Sequence, residues 1–144
     1  MSDDEYLPSR STWADEHVQR YLASAGEDGY EFLKGAHVII LSTTGRRTGR
    51  PRKTPLIRIP DGDRYLVVAS QGGAPTHPHW YLNLAEHPDV TIQDRGEVRA
   101  YRAHVASPAE KRELWPKAVA EWPDYDDYQQ RTERDIPLIV CEPR

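Results

Sequence analysis

Cysteine is almost missing from this chain of 144 residues: Cys141 stands alone. That excludes an intrachain disulfide framework and a cysteine-ligated zinc site, and it makes a reducing cytoplasm the default setting. Long apolar runs are missing too. None approaches the roughly 18 residues of a membrane span, and no basic start leads into an apolar stretch as in an exported precursor. The chain therefore reads as soluble, with a peripheral membrane contact left open. Also missing are the Gly-x4-Gly-Lys-Ser/Thr phosphate loop, a Gly-x-Ser-x-Gly elbow and a paired-carboxylate motif. Ser, His and Asp are too frequent for a triad to be read from their order. His77-Pro78-His79 has no evident third histidine or carboxylate beside it, which argues against a metal site. No internal repeat or low-complexity segment is present. A formal charge of -4 argues against general nucleic-acid binding.

Charge is unevenly spread. Residues 1–35 hold eight acids against three bases, and residues 36–105 hold six acids against ten bases. The bases concentrate in Thr43-Thr44-Gly45-Arg46-Arg47-Thr48-Gly49-Arg50-Pro51-Arg52-Lys53, a glycine-punctuated turn with five cations and no acid. Glycines let a backbone turn point its amides outward, and arginine forks match phosphate oxygens two at a time. A solvated hairpin turn is the plain alternative. A phosphate-bearing ligand held beside a sheet is the stronger reading, because Ala69-Ser70-Gln71-Gly72-Gly73 supplies a second flexible backbone turn.

The first ten residues are polar and read as a mobile N-terminus ahead of a single domain over residues 11–144. A helix is predicted over residues 11–25, with Trp13, Val18, Tyr21 and Leu22 on an apolar face that covers a ligand site or a partner surface. Strands are predicted over Val38 to Thr43, Thr54 to Ile59, Tyr65 to Ser70, Val90 to Gln93, Val98 to Val105 and Ile136 to Cys141, with Val98, Ala100 and Ala103 as the inward set of the fifth. His79 to Glu86 reads as a short helix. Ser107-Pro108-Ala109-Glu110 combines a capping box with proline at the first helical position, so a helix follows, with Pro116 as a place for a kink. Asp124 to Glu133 is a further helix. About six strands joined mostly by tight turns do not alternate with helices as a doubly wound sheet requires. The fold class is mainly β (α+β), a small antiparallel barrel with external helices.

Aromatics supply the remaining signal. Trp80, Tyr81 and Trp115 read mostly as core, whereas Trp122, Tyr125 and Tyr128 recur every three residues in an acidic, exposed-looking stretch and form a candidate ligand-facing row. These residues point to a protein that binds a reactive cofactor and leaves the chemistry to it.

From Ile40 to Pro143 the chain resembles the deazaflavin-dependent nitroreductase family, oxidoreductases that use reduced coenzyme F420. Carrying the resemblance are residues 43–52, Pro55-Leu56, Ala69-Ser70 with Gly72-Gly73, Trp80-Tyr81-Leu82-Asn83-Leu84, and Ile136-Pro137 with Cys141-Glu142-Pro143, in order and spacing. It implies a split β-barrel of the flavin-reductase kind. It assigns Arg46, Arg47, Thr48 and Arg52 to the coenzyme's phosphate and acidic tail, with Lys53, Thr54, Pro55, Leu56 and Ile57 on the strand beyond. Val68, Ala69, Ser70 and Gln71 would border the deazaflavin ring, His79, Trp80, Tyr81, Leu82 and Asn83 would form a helical wall, and Tyr125 would close the site. Trp122, Tyr125 and Tyr128 resemble substrate-facing aromatics. Gln71, where relatives often carry lysine, and Trp122, where some carry tyrosine, depart from the pattern. The implied activity is hydride transfer from reduced F420 to an electron-poor acceptor such as a quinone, an unsaturated lactone or a nitroaromatic, with Ser70 or Tyr125 as proton or hydrogen-bond donor. An FMN-binding barrel reductase and a non-enzymatic carrier or anion-binding module remain open alternatives, and the oligomeric state is undetermined.

Overall fold

The computed structural model describes residues 12–144, so the stretch read as a mobile N-terminus lies outside the described residues. Four helices, α1 (Thr12–Ala23), α2 (His79–Glu86), α3 (Pro108–Glu121) and α4 (Asp124–Arg131), accompany seven strands among the described residues. These are β1 (Val38–Thr44), β2 (Pro51–Ile57), β3 (Ile59–Asp61), β4 (Arg64–Val68), β5 (Asp89–Asp94), β6 (Glu97–Val105) and β7 (Leu138–Pro143). All pairings are antiparallel, in the order β2-β1-β5-β6-β7-β4-β3.

The two edges of that order are consecutive in the chain, separated by Arg58 alone. Residues 51–61 thus pair first with β1, Ile57 opposite Val38, and then with β4, Ile59 opposite Leu66, which rolls the sheet into a split barrel. Counted as one bent strand, they bring the total to the six predicted. The bend is pinned from two sides. Arg58 N–H donates to His37 O at 2.8 Å, and its Nε donates to Asp94 Oδ2 at 2.8 Å, an oxygen that also accepts the Tyr65 hydroxyl. Pro51, Pro55 and Pro60 all fall on this run, and proline, having no N–H, suits a strand whose far side lacks a partner. Every residue of β2 is partly exposed.

Period-two alternation sorts the side chains into layers. Ile39, Leu41, Val67, Ala69, Ile92, Tyr101, Ala103, Ile139 and Cys141 form one cluster inside the barrel, closed by Leu84 of α2. Their neighbours Leu66, Val68, Leu138 and Val140 face outward onto Leu114, Ala118, Trp122 and Tyr125 of the α3–α4 region. Val38 and Ile40 face outward onto Val18 and Tyr21 of α1.

Several expectations shift. In β6 the inward residues are Tyr101 and Ala103, whereas Val98 is exposed and Ala100 only half-buried, because inward positions of this strand are odd-numbered. The first hairpin pairs as far as Thr44 opposite Pro51, so β2 starts three residues before the predicted Thr54 and carries Arg52 and Lys53 itself. β7 runs Leu138–Pro143, shifted two residues toward the C-terminus of the predicted Ile136 to Cys141, and α4 ends at Arg131, two residues before the predicted Glu133. The Ser107–Glu110 capping box forms with both reciprocal bonds, and α3 continues through Pro116. None of the described helices is long and apolar enough to cross a membrane.

Candidate active site

The turn between β1 and β2 spans residues 45–50. Gly45 N–H donates to Arg50 O and Gly49 N–H to Gly45 O, each at 2.8 Å. Gly49 sits at φ +71, and a Cβ on Gly45 would come within 2.6 Å of Thr48 Oγ1, so both glycines are required by shape. The turn is anchored to α2 through Asn83, whose side chain is 5% exposed. Asn83 Oδ1 accepts from Arg46 N–H at 3.1 Å and from Arg46 Nη1 at 3.0 Å, while its Nδ2 donates to buried Thr43 Oγ1 at 3.3 Å. Arg46 Nη2 also approaches His79 Nδ1 at 3.4 Å. Lys53 Nζ donates to Ser42 Oγ at 2.7 Å, and burial pushes its ammonium below the ordinary lysine range. Arg47 is exposed and makes no ion pair with the described residues.

Beside this turn lies a cleft of about 730 Å³, within the usual range for small-molecule sites. Its lining includes Arg46, Arg47, Arg52 and Lys53 but no Asp or Glu. Of the residues assigned to the coenzyme by resemblance, these four, Thr48, Thr54, Pro55, Leu56, Ile57, Val68, Ser70, Gln71, His79, Trp80, Asn83 and Tyr125 all line it. Ala69, Tyr81 and Leu82 do not. Ala69 alternates with Val68 and Ser70 and points into the barrel. Tyr81 and Leu82 fall off the α2 face that carries Trp80 and Asn83 at i, i+3 spacing.

The opposite wall is aromatic. Trp122, Tyr125 and Tyr128 all line the cleft, but the expectation of an exposed row is corrected: Trp122 and Tyr125 are buried between α3, α4 and the barrel. Their acidic neighbours occupy the other side of the short helix, which made the stretch look solvated. Trp122 Nε1 donates to the Tyr128 hydroxyl at 3.3 Å, and the Tyr125 and Tyr128 rings meet edge to face at 6.1 Å. Burial pushes the Tyr125 phenol well above its ordinary value, so it stays protonated at neutral pH.

Only the start of α1 reaches the cleft, through Trp13, Ala14 and His17. Val18 and Tyr21 are core instead, with the Tyr21 hydroxyl donating to Val38 O at 3.0 Å and accepting from Arg95 N–H at 2.6 Å. The whole helix is therefore not a detachable cover. Phe32 completes the aromatic end, 5.9 Å from Trp13 and 5.7 Å from Trp122 between ring centroids. Reading the sequence missed Phe32, His17 and the anchoring role of Asn83; these act across elements that are distant in the chain, so no local motif marks them. His77 and His79 go separate ways, to Arg134 and Arg46.

The family model described as F420H(2)-dependent quinone reductase matches residues 13–143, nearly the whole described chain. The chain belongs to this F420H(2)-dependent quinone reductase family. Members are oxidoreductases, and the family description names F420, so the FMN alternative gains no support. The Mycobacterium tuberculosis F420H(2)-dependent quinone reductase Rv1261c is 36% identical over 147 residues, covering 93% of this chain and 98% of its own. Rv3178 of the same organism, which bears the same family name, is 40% identical over 116 residues, covering 81% of this chain and 98% of its own. Among solved structures, an F420-H2-dependent reductase, FDR-A, matches with a TM-score of 0.69 at 37% identity, over 73% of this chain and 93% of its own. A chain solved as a domain-swapped dimer matches with a TM-score of 0.72 at 35% identity, over 93% and 100%. Matches at 13–20% identity, among them a haem-storage protein and an FAD-binding protein, share the barrel fold alone.

Proposed function

We propose that the cleft binds reduced coenzyme F420 along β2 and that this chain reduces a quinone held against the aromatic wall. The observation that carries this reading is the polarity of one cavity: four cations without a carboxylate at one end, and Trp122, Tyr125, Tyr128 and Phe32 at the other. When bound, the coenzyme supplies a hydride from deazaflavin C5. Arg46, Arg47, Thr48 and Arg52 fit its phosphate and acidic tail, because guanidinium forks pair with such oxygens by charge-assisted hydrogen bonds. Lys53, Thr54, Pro55, Leu56 and Ile57 continue that floor. Val68, Ser70 and Gln71 border the ring, with His79, Trp80 and Asn83 opposite. The arrangement excludes water from the apolar end and holds the acceptor flat against Trp122, Tyr125 and Tyr128. A quinone that gains a hydride needs one proton to become the hydroquinone. Tyr125 lines the cleft and holds its proton at neutral pH, which makes it the first candidate donor on position, even though burial weakens the phenol as an acid; Ser70 is the second.

Among the three acceptor classes, a quinone is favoured over an unsaturated lactone or a nitroaromatic because the relatives' names specify quinone reduction. Anaerobic oxidation of reduced F420 in the presence of each class tests the choice. The expected result is the largest kcat/KM with a quinone, and Trp122→Ala should change the ranking of bulky against small acceptors. No acceptor-dependent oxidation with any quinone would overturn the proposal.

A further inference from the structure

Arg134 lies between α4 and β7, outside the cleft lining, and turns its guanidinium toward the loop after β4. Nε donates to Ala74 O at 2.8 Å, Nη1 to Ala69 O at 3.1 Å and Nη2 to Ser70 O at 2.7 Å. Nη1 also donates to His77 Nδ1 at 2.9 Å. Every one of these acceptors is uncharged, and no carboxylate pairs with Arg134 among the described residues. Its own backbone is held in turn by Gln129 of α4, whose Nε2 donates to Arg134 O and whose Oε1 accepts from Ile136 N–H, both at 2.9 Å.

The clasped loop needs such support. Gln71, Gly72 and Gly73 follow one another at φ 45, 63 and 82, and a non-glycine residue in the left-handed region is strained. Its internal bonds are few: Gly73 N–H to Ser70 O at 2.9 Å and Ala74 N–H to Gln71 O at 3.1 Å. Yet Ser70, Gln71 and Gly72 form one wall of the cleft. We propose that Arg134 is a positioning residue of the active site: its fork fixes the residue 69–74 backbone, and so sets Ser70 and Gln71 against the bound coenzyme. The catalytic half of this inference rests on the function proposed above; the clasp itself does not. Geometry matters here more than charge, because the acceptors are spread over residues 69, 70, 74 and 77. A guanidinium spans them with separate N–H groups, whereas an ammonium presents its donors from one point.

The test compares Arg134→Lys and Arg134→Ala with the wild type by amide hydrogen exchange of the ligand-free protein, F420 titration and steady-state kinetics. In both variants, exchange at Gly73 and Ala74 should rise about tenfold or more while the strands stay protected. Turnover should fall about ten- to a hundredfold, as a displacement near 1 Å at the reacting groups can cause. Coenzyme Kd should stay within about threefold, since the basic turn is untouched. Added guanidinium ion should restore part of the turnover of Arg134→Ala. Wild-type exchange and turnover in Arg134→Lys would overturn the fork argument, and exchange raised evenly across the fold would reduce Arg134 to general stability. Should the wild type fail to oxidise reduced F420, the proposed function falls, and exchange confined to residues 69–74 or spread evenly would still decide for or against the clasp.

Discussion

Asn83 is the most informative single position, because one side chain couples stability to anion binding. It accepts from a backbone N–H and from a guanidinium of Arg46 and donates to the Thr43 hydroxyl, all in a nearly dry setting. A hydrogen bond to a charged group contributes about 1.5–3 kcal/mol and neutral ones about 0.5–1.5 kcal/mol each. Because such effects within one network do not add fully, Asn83→Ala should destabilise by about 2–3 kcal/mol, or roughly 6–12 °C in Tm for a chain of this size. The loosened turn must then be ordered on binding, so coenzyme affinity should fall about tenfold. Asn83→Asp separates the two effects. A carboxylate there pairs with Arg46 and keeps the turn in place, yet it puts a negative charge into a cleft that has none. Its Tm should hold while affinity drops more than in Asn83→Ala, with much of the loss recovered in high salt. Thermal melts and F420 titrations at two ionic strengths read both quantities. Unchanged coenzyme affinity in Asn83→Asp would refute the assignment of the basic turn to an anionic ligand.

Three further outcomes follow from single contacts. Tyr125→Phe should lower turnover by about 10²-fold with little change in coenzyme affinity if the hydroxyl donates the proton. Because burial raises this phenol's pKa, the wild-type rate should show no Tyr125-dependent loss at or below pH 10.0, its ordinary value. Gly73→Ala would place a Cβ 2.9 Å from Tyr128 O at φ +82, and should cost about 1–3 kcal/mol in denaturant melts while shifting the aromatic wall. Asp94→Ala strips the partner from Arg58 at the barrel-closing bend and should cost about 3–5 kcal/mol, since it leaves a partly buried guanidinium unpaired; a loss below about 1 kcal/mol would mean the bend is held elsewhere.

Local signals carried most of the fold. The Ser107 capping box and the apolar runs of β1, β4 and β7 each announce one element, and the structure builds each within a few residues of the predicted place. Phase was harder to read in β6, where an exposed valine and a buried tyrosine reverse the usual hydrophobic order. The basic turn was legible because its cations are adjacent in sequence. The aromatic wall was legible only in its residues and not in its burial, since a two-turn helix with acids on one side looks solvated whatever its other side touches. What no linear reading could supply is the set of contacts closed by the barrel itself: Asn83 onto Arg46, Phe32 onto Trp122, and Arg134 onto Ser70, 37, 90 and 64 residues apart.

Whether the cleft takes F420 is decided by anaerobic equilibrium titration of the protein with F420 and with FMN, each oxidised and reduced, followed by absorbance at low and high salt. F420 should bind one-to-one, with an affinity that weakens with salt, falls about ten- to a hundredfold in Arg46→Ala or Arg52→Ala, and exceeds that of FMN throughout. Tighter binding of FMN, or F420 affinity indifferent to the loss of either arginine, would contradict it.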